Sequence, residues 1–464
     1  MATRISESFT LQRLGAVFML GTCLLVGALF GLGHNNWVAA LLSAGGALVI
    51  SLLWPKWGMY LLLWVLFASI LPPGTGKFLG GVVMVGWLAN QLLVTRAQIQ
   101  LGALGPWLIG LFALALVSGL AHGQLDTQVS LLMVTGLILY FLIVNMVDNT
   151  ADFEALMLNV VLIATAASLL VIQRTLAQGL LRPGALSQGA LGDPNDTALF
   201  INIALPFVVL ASVRAWRWRW VARLLLPVLM GGILLTLSRG GFIVSVAGFV
   251  ILFGATRVIR RFELFLILTL FLALQLVPII SNNFNALLFR FSREDISALG
   301  SAETRVNTIR VGIRLGLNNP WLGAGPNRFS AEIVDYRTNE YGTIALAPHN
   351  TYLQAFAELG APGLLTLIGM LISNVVRLYR IWRHPTPVPI TSWLWAMVAM
   401  VLSYYLSIFF LNHLYARDIY LVLALVEAFA NLHTRQVAAA EKAYGTVTAP
   451  LTLPDGATVP AGAI

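Results

Sequence analysis

The stretch Val129–Met146, VSLLMVTGLILYFLIVNM, contains no charged residue and is almost wholly apolar. A helix needs about 20 such residues to cross the hydrocarbon core of a bilayer. Lipid leaves no water for an unpaired backbone group, so only helices or closed barrels span it. A barrel strand would alternate apolar and polar residues, and this run does not, so it reads as a helix. Similar runs lie on both sides of it. They begin near residues 11, 36, 56, 79, 105, 153, 197, 219, 241, 262, 351, 391 and 413. Together these give about fourteen spans, or twelve if short and closely spaced runs merge.

Composition points the same way. Of the 464 residues, 58% are hydrophobic and only 10% are charged, and the mean hydropathy is +0.84. A soluble chain carries about 25% charged residues, so most of this surface must face lipid. The fold class expected is an all-α polytopic membrane protein. The net charge of +9 comes from 28 basic and 19 acidic residues. A basic excess suits either nucleic acid or an anionic membrane. Here the bases lie mainly between apolar runs, which selects the membrane and gives no nucleic-acid partner. Lys56, Lys77 and Lys442 are the only lysines. Arginine offers a planar fork of donors suited to phosphate, although a GC-rich genome produces the same bias. Cys23 is the single cysteine, so no intrachain disulfide or cysteine-rich metal site can form. Arg4 and Arg13 precede the first apolar run, and no clear cleavage site follows. That pattern reads as an uncleaved first helix.

Positive charge orients the spans, because cytoplasmic connections collect Lys and Arg. Lys56, Arg96, the group Arg214–Arg223, the group Arg257–Arg261 and the group Arg377–Arg383 fall in even-numbered connections. Odd-numbered connections are poorer, which places both termini inside. The acidic connection around Asp148, Asp152 and Glu154 gives this no support. Residues 1–431 form the expected transmembrane domain, and 432–464 an inside, disordered tail rich in Ala, Pro and Gly. The connection 281–350 is long and polar and falls outside. Loops of this length usually carry function. Within it, residues 303–317 read as an amphipathic helix. Val306, Ile309, Ile313 and Leu317 share one face, and Glu303, Asn307, Arg310 and Arg314 another. Such a helix lies on the membrane or on the bundle.

Four polar clusters fall on the outer side. In Gly192-Asp193-Pro194-Asn195-Asp196, an Asp or Asn can cap the next helix, or the side chains can hydrogen-bond a sugar. In Ser238-Arg239-Gly240-Gly241, an arginine at membrane depth faces a cavity or partner, or snorkels from a tight turn. Arg305, Arg310 and Arg314 can hold pyrophosphate bidentately, or form a solvated helix face. Pro348-His349-Asn350-Thr351-Tyr352 opens a span. A helix N-terminus disfavours a cationic imidazole, and a neutral one can serve as general base. His122, His384 and His433 lack that setting. Pro72–Lys77 resembles the end of a phosphate-binding loop. It lacks the early Gly and the Ser or Thr after Lys, with Phe78 in that place, and no strand precedes it, so it is set aside.

Taken in order, these elements resemble the O-antigen ligase and polymerase superfamily of bacterial inner membranes. The resemblance is carried by Asn195, Ser238-Arg239-Gly240 and Arg305. It continues through Asn319-Pro320-Trp321-Leu322-Gly323-Ala324-Gly325, His349-Asn350-Thr351-Tyr352-Leu353 and Glu358-Leu359-Gly360-Ala361-Pro362-Gly363. It covers about residues 180–365. The resemblance implies a membrane-embedded glycosyltransferase that needs no metal and no cofactor. The donor would be a glycan on undecaprenyl pyrophosphate at the periplasmic face, and the acceptor the lipid A-core oligosaccharide. Polymerases and protein O-oligosaccharyltransferases of the same superfamily are the alternatives. In this reading His349 and Arg239 are catalytic. Arg305, Arg310, Asn195, Asp196 and Asn350 bind pyrophosphate or glycan. A direct displacement would invert the anomeric centre. A transporter or flippase for the lipid-linked glycan is the rival from another class. Against it, no internal repeat with matching broken helices is visible, and the polar clusters gather at one face rather than at the midplane.

Overall fold

A computed structural model describes residues 37–67, 75–95, 99–178, 193–213, 219–236, 238–255, 308–332, 348–384, 386–447, 451–452 and 458–459. Apart from the two-residue strands Leu451–Thr452 and Thr458–Val459, its regular elements are helices. They are α1 (Trp37–Leu53), α2 (Pro55–Phe67), α3 (Thr75–Ala89), α4 (Gly105–Ala121), α5 (Thr127–Met146), α6 (Thr150–Gln178), α7 (Pro194–Val213), α8 (Arg219–Leu235) and α9 (Arg239–Ala255). After these come α10 (308–318), the short α11 (Phe329–Glu332), α12 (Thr351–Arg383), α13 (Leu394–Ser407) and α14 (Arg417–Val447). Among the described residues five helices are long and apolar enough to cross a membrane, and α4 and the apolar cores of α3 and α9 are shorter apolar helices. The chain is an all-α polytopic membrane protein. The spans expected near 11 and 262 lie outside the described residues, and each of the others meets a helix.

Helices α7 and α14 form the centre. From Thr197 to Ser212 every residue of α7 is buried, and so is α14 from Asp418 to Ala430. A helix apolar all round belongs inside a bundle. The outer helices instead point leucines and valines such as Leu131, Leu162 and Val250 outward, as lipid-facing positions require. Close helix approach uses small residues: a Cβ on Gly136 of α5 would collide with the Tyr420 ring of α14.

The two ends of the bundle are chemically distinct. At one end Lys56 meets Asp152 at 2.6 Å and Asp148 at 3.6 Å, and Arg435 reaches Asp148 at 3.5 Å. Gln436 donates to Thr150 at 2.8 Å, and the Trp393 indole to Glu154 at 3.2 Å. The acids that look out of place in the sequence therefore sit among bases of the same face. At the other end lie the junctions before α5, α7, α9, α12 and α14.

One expectation is corrected. Residues 432–447 continue α14 rather than opening an irregular tail; Ala-rich sequence favours helix, and Arg435 and Gln436 are tied down. The apolar stripe of α10 is not the face that docks on the bundle. Thr308, Val311, Gly312, Leu315 and Gly316 are buried, whereas Ile309, Ile313 and Leu317 are 43–64% exposed. Gly312 and Gly316 let α10 lie against Leu353 and Phe356 of α12, so the smallest side chains, not the most apolar, make the contact. The first part of the expected helix, with Arg305, lies outside the described residues.

Candidate active site

The site assembles from four helix starts and one loop. At the start of α7, the Asp193 carboxylate accepts from the Asn195 amide at 2.6 Å, and the Asp193 carbonyl accepts from Thr197 at 3.0 Å. Asp193 thus does the capping, and Asn195 and Asp196 are released for other contacts. At the start of α9, Ser238 Oγ accepts from the Gly241 amide at 3.0 Å and donates to Asn195 Oδ1 at 2.6 Å. This one hydroxyl caps a helix and joins two of the clusters picked out in the sequence. One turn further in, Asn202 donates to the Gly241 carbonyl at 2.9 Å and accepts from Ser245 at 2.7 Å. A Cβ on Gly241 would collide with Ala198, so this glycine serves the approach of α9 to α7. Arg239 is the first residue of α9.

The start of α12 brings in the remaining pieces. Asn350 accepts from the Leu353 amide at 2.9 Å and caps the helix. His349, just before it, takes a left-handed backbone with φ 44°, uncommon for a residue with a side chain, and is exposed. Thr351 then stitches the loop 408–416 to this helix start. Its amide donates to the Ile408 carbonyl at 2.9 Å, its hydroxyl donates to the Leu411 carbonyl at 2.7 Å, and its Oγ1 accepts from the His413 amide at 2.9 Å.

That loop carries a residue the sequence reading passes over. His413 is buried, with Nδ1 2.7 Å from Asp418 Oδ2 and Nε2 3.0 Å from Asp196 Oδ1. Tyr404 donates to the same Asp418 oxygen at 2.8 Å. Burial alone would lower the pKa of His413. The Asp418 charge and the hydrogen bonds to Asp196 and Asp418 outweigh burial, and the imidazole is pushed up to about 10. It is therefore a cation at neutral pH, and both nitrogens donate. The sequence reading starts its last span near 413. The structure ends α13 at Ser407 and opens α14 at Arg417, which leaves His413 in the loop between them. The signal available was Asn412-His413 followed by Arg417-Asp418, four polar residues too close together for a span to start there.

Asn195, Asp196, His349, His413, Arg417 and Asp418 line one cavity of about 510 Å3, whose walls include Phe67, Leu199 and Phe200. Arg417 Nη1 donates to the Leu66 carbonyl at 2.8 Å, near the end of α2. Arg310 is exposed on α10, and neither it nor Asn350 is among the described lining residues. Among the described residues no group of three or more His, Cys, Asp or Glu is placed to hold a metal ion.

Part of the chain that builds this cavity is similar to a known family. Residues 224–368 match the family model described as O-antigen ligase. Over these residues the chain is similar to the O-antigen ligase family. No curated protein gives a significant match. The matched region holds Ser238, Arg239, Arg305, Arg310 and His349. Asn195, Asp196, His413 and Asp418 lie outside it, so the cavity joins matched and unmatched parts of the chain.

The superfamily match also contains the joint that anchors α10. The turn after α10 packs on a kink in α12: Ala324 donates to the Ala357 carbonyl at 2.9 Å, Gly325 to the Glu358 carbonyl at 3.1 Å, and Ala361 to the Pro320 carbonyl at 2.8 Å. Gly323 and Gly360 have φ of 64° and 70°. A Cβ on either would strike the backbone of the other segment. Both positions therefore need glycine for conformation and for space.

Proposed function

We propose that this protein is an O-antigen ligase. It would transfer a glycan from undecaprenyl pyrophosphate to the lipid A-core oligosaccharide at the periplasmic face of the bacterial inner membrane. The observation that carries this reading is that Asn195, Asp196 and His349, drawn from two distant parts of the sequence, line one cavity. The start of α9 is bonded to Asn195 beside it.

In this mechanism the acceptor hydroxyl attacks the anomeric carbon as the lipid pyrophosphate leaves with the bonding electron pair. His349 orients the hydroxyl or takes its proton. Arg239 and Arg305 stabilise charge developing on the leaving phosphate, as preorganised donors do most effectively where water is excluded. Arg310, exposed on α10, would meet the donor headgroup from outside the cavity. The activated donor supplies the driving force, so neither a nucleotide nor an ion gradient enters. Direct displacement inverts the anomeric centre.

The test is ligation by purified protein in detergent, with undecaprenyl-pyrophosphate glycan, lipid A-core and EDTA. Wild type is expected to form the ligated product, and His349→Ala and Arg239→Ala to lose it while expressing normally. Glycan lengthening on its own carrier would identify a polymerase instead. Near-normal turnover by Arg239→Ala would remove that residue from the mechanism. Absence of either product, with validated substrates and folded protein, would sink the transferase reading.

A further inference from the structure

The two carboxylates that share His413 have different surroundings. Asp418 is 10% exposed, is bonded by both His413 and Tyr404, and heads a buried helix. Asp196 is 38% exposed and gives one oxygen to His413. Among the described residues its second oxygen meets no hydrogen-bond partner. It faces the same cavity as His349. Such an arrangement fixes a carboxylate without consuming it: one oxygen is pinned by a charge-assisted bond and the other remains an acceptor. Besides His413, the titratable and charged residues lining the cavity are Asp193, Asp196, His349, Arg417 and Asp418, with Tyr404 behind Asp418.

We propose that His413 is a positioning residue for the acceptor: clamped between Asp196 and Asp418, it holds the Asp196 carboxylate so that its second oxygen accepts a hydrogen bond from an acceptor-sugar hydroxyl. This inference rests on the glycan-transfer reading and adds a polyol-binding carboxylate to it. The imidazolium has two tasks. It neutralises the repulsion between two acids brought close together, and it prevents the Asp196 side chain from turning back to cap its own helix. Asp193 already fills that capping role, which is why Asp196 can be spared. A neutral side chain at 413 would leave two carboxylates facing each other, and one would take up a proton or swing away.

The test compares wild type, His413→Gln and Asp418→Asn in the same detergent assay, varying donor and acceptor separately. In His413→Gln the acceptor KM is expected to rise about tenfold or more, the scale of one hydrogen bond to a charged group. The donor KM should stay within about twofold. In Asp418→Asn the clamp loses its stronger partner. A falling limb should then appear in the activity profile as pH rises through the unperturbed histidine range, about 6.5, well below the wild-type limb. Nitrogen-15 spectra of labelled histidine, assigned through His413→Gln, read the clamp without any substrate. At about pH 8 wild-type His413 should carry protons on both nitrogens, and Asp418→Asn should not.

A neutral His413 in wild type at that pH overturns the proposal. So does an equal loss for donor and acceptor, which marks a merely structural role. If His413→Gln fails to fold, Asp418→Asn and the spectra still decide. Absence of transfer by wild type would overturn the ligase reading and this inference together, whereas wild-type transfer with an unchanged acceptor KM in His413→Gln overturns this inference alone.

Discussion

Two buried ionic groups sit at opposite ends of the bundle and are built on opposite principles. In one, Glu427 of α14 meets Arg377 of α12 at 2.9 Å and accepts from the amides of Ala103 and Leu104 at 3.1 and 3.3 Å. Its side chain is 1% exposed. One acid meets one base, and the remaining lone pairs go to backbone amides at the start of α4 that would otherwise lack acceptors. In the other, Asp196 and Asp418 share a single imidazole, and Asp196 opens onto a cavity of about 510 Å3. The first group is closed and complete; it ties three helices together and has nothing left to offer. The second leaves an oxygen available. Burial alone therefore does not mark a functional charge. The distinguishing sign is a charge that is fixed yet incompletely used, beside space that another molecule can fill.

The contrast breaks most visibly at Glu427. Glu427→Ala leaves the Arg377 guanidinium without its partner and two helix-start amides without acceptors. Breaking a buried pair from one side costs about 3–5 kcal/mol. The expected result is a large drop in the denaturation midpoint of the detergent-solubilised protein, with transfer lost only as folding is lost. If the variant keeps its midpoint, the group does not hold the helices together and the contrast fails at its structural end.

The next largest effect is expected at Asp196, and it should fall on activity. Asp196→Asn keeps an oxygen for the His413 bond, so the midpoint should stay near wild type. Transfer should fall about 10- to 100-fold, as one or two hydrogen bonds to a charged group would account for. Initial rates and unfolding midpoints on the same preparations separate the two effects. Equal loss of both would make Asp196 a structural residue like Glu427.

A pH series sharpens the same comparison with a smaller effect. The folded pKa of His413 is pushed up to about 10, above the unfolded value near 6.5. The clamp's contribution to stability is then complete below about pH 6.5 and is lost as pH rises through about 10. The unfolding midpoint of wild type should decline relative to His413→Gln across that window and run parallel to it below. A constant difference throughout would mean that His413 does not gain its proton by folding.

The same contrast explains what was legible in the sequence. The spans could be read because lipid imposes length and apolarity on every crossing, and each described span meets a helix. Asn195, Asp196 and His349 could be read as candidates because polar residues at helix starts are conspicuous against 58% hydrophobic sequence. His413 was hidden because a nearly continuous apolar run surrounds it, and the break between α13 and α14 depends on Thr351 binding that loop from 60 or so positions away. The docked face of α10 was not legible, because periodicity weighs apolarity, whereas Gly312 and Gly316 are chosen for closeness. The spare position of Asp196 was latent in Asp193-Pro194-Asn195-Asp196. Four residues offered several possible caps, and only the fold selects Asp193.

The smallest effect is expected at the exposed ion pairs that share the Glu427 end of the bundle. Lys56 is 40% exposed in its side chain, and it pairs with Asp152 at 18% and Asp148 at 59%. Exposed pairs are worth about 0–1 kcal/mol, because water already solvates both partners and salt screens them. Lys56→Ala should therefore lower the unfolding midpoint slightly and leave the rate of transfer unchanged, and added salt should shrink the difference further. A loss as large as that of Glu427→Ala would mean that these pairs, and not the buried one, close this end of the bundle. A loss of transfer with an unchanged midpoint would couple the two ends and end the division of labour drawn between them.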